Sequence, residues 1–331
     1  MIIPFFIPHS GCPHQCVFCN QKNITGQRTS VDPSTVARTI SAYLDTAKHQ
    51  EAQVAFYGGS FTALAIELQQ RYLKACQPFI AAGRVKGIRL STRPDCISKE
   101  NLALLKDHHV ETIELGVQSM DDPVLMRSGR GHTAADTLHA VTLLREQGFA
   151  IGLQLMPGLP GDSSDTFMST VRSVIDMKPA FVRIYPALVI KETPLEALYR
   201  SGKYTPLSLD QAVQWCKSAL LLFEQAGIAV IRMGLQPTEE LQKPGTILAG
   251  PYHPSFRQLV DSSILLDRMR AALQQRSPGT GPACLCSHPS DVSAAIGQKR
   301  SNIVALKKEF CLSELRVSAD PAVRKGSITY Q

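Results

Sequence analysis

Short apolar runs alternate with longer amphipathic stretches through the first 190 residues. Ile2–Ile7, Gln53–Tyr57, Gly87–Thr92, Glu111–Val117, Ala150–Met156 and Phe181–Ile190 read as strands. Between them apolar residues recur at helical spacing, which predicts helices over Pro33–Lys48, Ala63–Ala82, Ser98–Asp107, Thr133–Gln147 and Ser164–Met177. Asp32 is an N-cap with proline at the first helical position, and Ser98 is a second N-cap. Gly148 stands where a helix closes on a left-handed residue. Strands and helices alternating at this spacing predict βαβ units and a parallel sheet. The loops that follow the strands hold the unusual residues: a cysteine cluster, Gly58-Gly59, Thr92-Arg93-Pro94-Asp95, Gln118-Ser119 and Pro157-Gly158-Leu159. All would lie at the C-terminal ends of the strands, the side on which α/β barrels collect their chemistry.

After Ile190 the rhythm changes. Pro194–Tyr199 and Leu209–Ala226 read as helices, Ile228–Met233 as a strand and Gly245–Pro254 as a Gly/Pro-rich loop. A helix follows over Ser255–Gln274, then Arg276–Pro289 reads as a linker before a small terminal unit. The expected division is a core with its extension over 1–260, a helix and linker over 261–286, and a basic unit over 287–331. With 44% hydrophobic residues in 331, a sizeable core is expected. The net charge of +7 permits an anionic partner without demanding one. No apolar stretch approaches the roughly 18 residues of a membrane span. The N-terminal run has no basic segment and contains two prolines, unlike a secretory leader. A soluble, cytoplasmic protein is expected.

Nine cysteines are too sparse for a disulfide scaffold. Three of them, Cys12, Cys16 and Cys19, crowd one loop at Cys-x3-Cys-x2-Cys spacing. Three thiolates on a tight loop suit a soft metal or an iron–sulfur cluster. A structural zinc site takes four ligands, so His14 would have to double back to complete one. Three unliganded buried thiols are the remaining alternative. Cys284-x-Cys286 with the distant Cys311 is a weaker ligand pattern.

Cys-x3-Cys-x2-Cys after the first strand of an α/β chain resembles the radical S-adenosylmethionine (SAM) superfamily. The resemblance implies a partial (β/α)6 barrel. It also implies a [4Fe–4S] cluster on Cys12, Cys16 and Cys19, reductive cleavage of SAM to a 5′-deoxyadenosyl radical, and an electron donor such as flavodoxin or ferredoxin. Phe18 matches the aromatic residue before the last cysteine. Gly58-Gly59-Ser60 resembles the glycine motif at the SAM amino group, with Ser60 in place of its frequent acidic residue. Gln118, in Gly-Val-Gln-Ser, is similar to the glutamine at SAM in the oxygen-independent coproporphyrinogen oxidase and Elongator-like branches. Arg145 matches an arginine that meets the SAM carboxylate, while Ser91 and Gln154 stand where that branch has acids. Arg130-Gly131-His132-Thr133, Leu155–Gly161 and Arg183–Thr193 extend the similarity to the radical-SAM half of the Elongator catalytic subunit. The acetyl-CoA loop of its other half has no counterpart in this sequence, so acetyl-CoA-dependent carboxymethylation is not expected.

From residue 271 onward, eight Lys+Arg against four Asp+Glu carry +4 of the net charge. Ala294–Leu306 followed by Leu315-Arg316-Val317 resembles the core of a KH domain, whose Gly-x-x-Gly loop clamps a nucleic-acid backbone. Gly297 is present, and Arg300 replaces the second glycine. Lys299 and Arg300 are therefore candidate RNA contacts, and the tail is expected to be a small KH-like α/β appendage. Three functions stay open at this level: a radical-SAM enzyme modifying tRNA or rRNA, one acting on a small molecule or porphyrin, and a non-enzymatic iron–sulfur or zinc protein.

Overall fold

A computed structural model describes residues 1–26, 31–46, 51–276 and 280–331. In chain order the strands and helices are β1 (Ile2–Phe6), α1 (Gln21–Thr25), α2 (Pro33–Thr46), β2 (Ala52–Tyr57), α3 (Ile66–Ala81), β3 (Val85–Thr92), α4 (Lys99–Asp107), β4 (Val110–Gln118), α5 (Asp122–Arg127), α6 (Ala134–Glu146), β5 (Ala150–Leu155), α7 (Ser164–Asp176), β6 (Phe181–Ile184), β7 (Val189–Ile190), α8 (Pro194–Arg200), α9 (Leu209–Gln225), β8 (Ala229–Met233), α10 (Glu239–Gln242), β9 (Ile247–Ala249), α11 (Phe256–Arg276), β10 (Pro282–Ser287), α12 (Val292–Ile296), α13 (Ser301–Glu309), β11 (Glu314–Ala319) and β12 (Ile328–Tyr330). The predicted helix end at Lys48 and the linker positions 277–279 lie outside the described residues.

One compact unit comprises Met1–Ser208 and Ala219–Tyr252. Its sheet runs β1-β2-β3-β4-β5-β6-β8, all parallel, which is the curled half-barrel of an α/β fold. Alternation sorts the strand residues. Val54, Phe56, Ile88, Leu90, Ile113 and Leu115 are buried on the helix-covered face. There Phe56 packs against Phe61 and Tyr72 with ring centroids 5.2 and 5.3 Å apart. The opposite, inner face is polar. Ser91 lies in register with Glu114, and Gln154 with Arg183. The Glu114 carboxylate accepts from Arg183 Nη2 at 3.2 Å and from the Tyr57 hydroxyl at 3.1 Å, and forms ion pairs with Arg183 at 2.7 Å and with Arg89 at 3.4 Å. Burial, then the Glu114 charge, pushes the Tyr57 hydroxyl up to about 12.

Helix ends follow the sequence signals. Ser98, Thr133 and Ser163 each close a capping box. The predicted strand Phe181–Ile190 divides instead. Pro186 supplies no N–H, β6 stops at Ile184, and β7 pairs antiparallel with β9 inside the stretch expected to be a loop.

The second unit comprises Leu209–Ser218 and His253–Gln331. Its sheet runs β11-β10-β12, with β10 parallel to β11 and antiparallel to β12. Leu265, Met269 and Leu273 of α11 share a core with Leu285, Ile303, Leu306 and Leu315. Asn302 donates to the carbonyls of Ser262 and Ala295 at 3.0 and 3.1 Å, pinning α13. The linker expected to reach Pro289 is strand from Pro282 onward, because Ala283 and Leu285 find apolar cover that a composition rich in Gly and Pro does not announce.

Candidate functional site

The cysteine loop follows β1 and is fastened from four sides. Ser60 N–H donates to the Ser10 carbonyl at 2.9 Å, tying it to the turn after β2. Val17 N–H donates to the Ser128 carbonyl at 3.0 Å, and Leu195 N–H to the Val17 carbonyl at 2.8 Å. Asn20 and Asn23 both donate to the Lys191 carbonyl, at 3.1 and 3.2 Å. Between the second and third cysteines, Val17 and Phe18 insert into an apolar cluster with Val189, Leu195 and Tyr204. The loop is thus anchored by its apolar pair, with thiols on either side.

The glycines explain the close packing. Gly11 has φ +72°, and a Cβ there would overlap the Ser60 carbonyl. A Cβ on Gly59 would overlap the carbonyl oxygens of Ser10 and Ile7. The Gly58-Gly59 turn therefore makes room first of all for the cysteine loop. A cavity of about 870 Å³ opens beside it, lined by His9, Cys12, His14, Cys19, Asn20 and Glu192 among others. Pockets of roughly 300–1,000 Å³ take small ligands.

Cys16 is buried, and Cys12 and Cys19 are half-buried. Among the described residues, no group of three or more His, Cys, Asp and Glu side chains is gathered so as to hold a metal ion. The electrostatics nonetheless link the three thiols. Burial raises the Cys12 pKa, against the Ser60 hydroxyl, with Cys16 adding to the rise. Cys19 is pushed up to about 12 by burial, then by Cys16 and Cys12. A bound cation reverses this sign and releases the protons.

Facing Cys16 is a polar group that the motif spacing did not announce. Arg130 Nη1 donates to Cys16 Sγ at 3.1 Å and Nη2 to the Gly116 carbonyl at 2.5 Å. Arg93 Nη1 stands 4.0 Å from the same sulfur. Its guanidinium is gripped at 2.9 Å by both oxygens of Asp95 and donates to the Arg130 carbonyl. His132, 4% exposed, completes the group. Burial, followed by the Arg130 and Arg93 charges, drives its pKa down to about 4. These residues come from Thr92–Asp95, at the end of β3, and from Arg130–Thr133, between α5 and α6; both segments stand out in the sequence, and their target does not.

Gln118 ends β4 at φ +67°, buried, and accepts from Gln154 at 3.4 Å. Ser91 donates weakly to the Phe56 carbonyl at 3.5 Å on β2. Arg145 is not brought to this group. It donates to the Met177 carbonyl, between the helix ends that feed β5 and β6, at the N-terminal side of the strands. His14 is exposed, and its ring fills the space a Cβ on Gly131 would take. In the second unit, Gly297 at φ +78° is followed by Lys299 and Arg300 at +50° and +61°, both exposed, on the turn between α12 and α13. Cys284 and Cys286 point from β10 toward Ser318, at 3.6 and 3.1 Å, and Cys311 lies apart and exposed.

The residues present fit a cluster. Arg130 is a buried guanidinium whose hydrogen bonds go to a cysteine sulfur and a carbonyl, which calls for negative charge on that sulfur. Half-barrel, cysteine loop and glycine turn together define a class of enzyme that gathers its functional residues at the strand ends. The Radical SAM superfamily matches residues 6–174, and the Radical_SAM C-terminal domain matches residues 179–265. The chain belongs to the Radical SAM superfamily. It is 28% identical over 230 residues to a tRNA uridine(34) acetyltransferase of Dehalococcoides mccartyi, covering 59% of this chain and 50% of that one. It is 26% identical over 262 residues to the human Elongator complex protein 3, covering 48% of that protein. The chain spans about half the length of these curated relatives. Among solved structures, the archaeal Elp3 of Methanocaldococcus infernus superposes with TM-score 0.61 at 21% identity, over 83% of this chain and 62% of that one. Coproporphyrinogen III oxidase of Escherichia coli gives 0.51 at 18%, over 68% and 53%. Among the described residues no helix is long and apolar enough to cross a membrane.

Proposed function

We propose that this chain is a radical SAM enzyme that modifies RNA, tRNA or rRNA. Cys12, Cys16 and Cys19 would hold a [4Fe–4S] cluster. Gly58, Gly59, Ser60 and Gln118 would contact SAM. Arg145 is left out of the set because its guanidinium is engaged at the other end of the strands. With an electron donor of the flavodoxin or ferredoxin type, the cluster and SAM supply a 5′-deoxyadenosyl radical.

The protein's part is to position and to insulate. Val17 and Phe18 hold the loop rigid, and the glycine turn fixes its distance from β2. Loading releases the protons that burial keeps on Cys12 and Cys19. The polar inner face, with Glu114 between Arg89 and Arg183, would orient a polar substrate rather than an apolar one.

The observation that carries the cluster reading is the buried Arg130 aimed at Cys16 Sγ. The RNA reading is supported by the names of the relatives and by the exposed Lys299-Arg300 turn. It is tested by anaerobic reconstitution with SAM, a reductant and total RNA, followed by nucleoside mass spectrometry. A new or altered nucleoside that requires both SAM and Cys16 is the expected result. Deoxyadenosine formed with no change in any nucleoside would move the substrate to a small molecule or porphyrin.

A further inference from the structure

Arg130 is 5% exposed and donates to one sulfur and one carbonyl. The nearest carboxylate in this group, Asp95, is taken through both oxygens by Arg93. Arg130 is thus left without a carboxylate in this group, and its positive charge faces Cys16 Sγ. Removing such a charge from water is costly unless an anion meets it. A neutral thiol is a poor acceptor for that purpose; a thiolate is a good one. The two arginines arrive on different segments, after β3 and after α5, and the Arg93 bond to the Arg130 carbonyl locks one to the other. Among the three thiols, the hydrogen bonds of the two arginines go to this one sulfur, and their charge also acts on Cys12, and that of Arg130 on Cys19.

We infer that Arg130, braced by Arg93 and Asp95, is a positioning residue that holds Cys16 as an anionic ligand through an N–H···S hydrogen bond and thereby raises the reduction potential of the group bound there. This rests on the cluster reading above. Positive charge and hydrogen bonds at cluster sulfurs favour the reduced form, which carries one more negative charge. The consequence is a cluster within reach of a mild electron donor.

The test is an EPR-monitored redox titration of the full chain, reconstituted anaerobically with iron and sulfide, as wild type, Arg130→Met and Arg130→Lys. Arg130→Met is expected to titrate lower. At a fixed applied potential its reduced-to-oxidised ratio falls about tenfold, which is 59 mV for a one-electron couple. Arg130→Lys keeps the charge, gives up the fork, and falls between. A folded Arg130→Met that takes up no iron, beside an Arg130→Lys that loads, also supports the assignment. If Arg130→Met does not fold, the lysine variant decides, a lower midpoint supporting the inference and an unchanged one overturning it. Equal midpoints in all three overturn the role of Arg130 alone. A wild type that takes up no iron removes the cluster reading itself, before any potential is measured.

Discussion

Two regions of this chain concentrate positive charge, and they treat it in opposite ways. At the cysteine loop, Arg93 and Arg130 are 4% and 5% exposed and every contact is specified: a carboxylate, two carbonyls and a sulfur. On the turn between α12 and α13, Lys299 and Arg300 stand in solvent on left-handed backbone. Buried cations demand a fixed anionic partner, and exposed ones recruit a diffusible one. The first arrangement suits a resident anionic group. The second suits a polyanion whose binding weakens with salt.

Breaking the first region should have the larger effect. Gly59→Ala places a Cβ against two carbonyls of the cysteine loop, where neither backbone can yield cheaply. Overpacking of this kind costs about 1–3 kcal/mol. Most of the iron should be lost on reconstitution, while the fold of the second unit survives. Iron analysis beside circular dichroism reads both, and full iron retention would show that the turn does not set the loop. In the second region, Lys299→Glu with Arg300→Glu should weaken RNA binding. The slope of log affinity against log salt should become shallower by about 1.5, given roughly 0.7 to 0.9 per phosphate contact. Deoxyadenosine formation should be unchanged. An unaltered slope would take RNA contact away from this turn.

A smaller effect concerns pH. His132 falls from an ordinary 6.5 to about 4 because burial and two arginines oppose its charge. The unfolded chain binds this proton more readily, so the stability it contributes is present above about pH 6.5 and is lost as pH falls toward 4. At most about 3 kcal/mol is at stake. In denaturant melts, stability should fall more steeply with acid across that window in wild type than in His132→Gln, and equal steepness would show that another group carries the loss.

The half-barrel was legible because its signals are local. The apolar run Val54–Tyr57 and the cap at Ser98 need no distant partner to be read. The Cys-x3-Cys-x2-Cys loop was equally plain. What escaped depended on long-range partners. Val189–Ile190 leaves the main sheet to pair with Ile247–Ala249, some sixty residues on. Pro282–Ser287 becomes a strand only because β11 and α11 cover it. Arg145 carries the right residue type, and the packing of α6 and α7 turns it toward Met177. Arg130 reaches Cys16 across 114 residues of sequence, and Arg93 approaches the same sulfur across 77.

Cys12, Cys16 and Cys19 are the residues on which SAM cleavage by this chain would depend. Anaerobically reconstituted wild type and Cys16→Ala, each given SAM and dithionite, decide it by chromatography of 5′-deoxyadenosine. Product is expected from the wild type and none from the variant. Iron-loaded wild type that forms no deoxyadenosine, or equal product from both proteins, would contradict it.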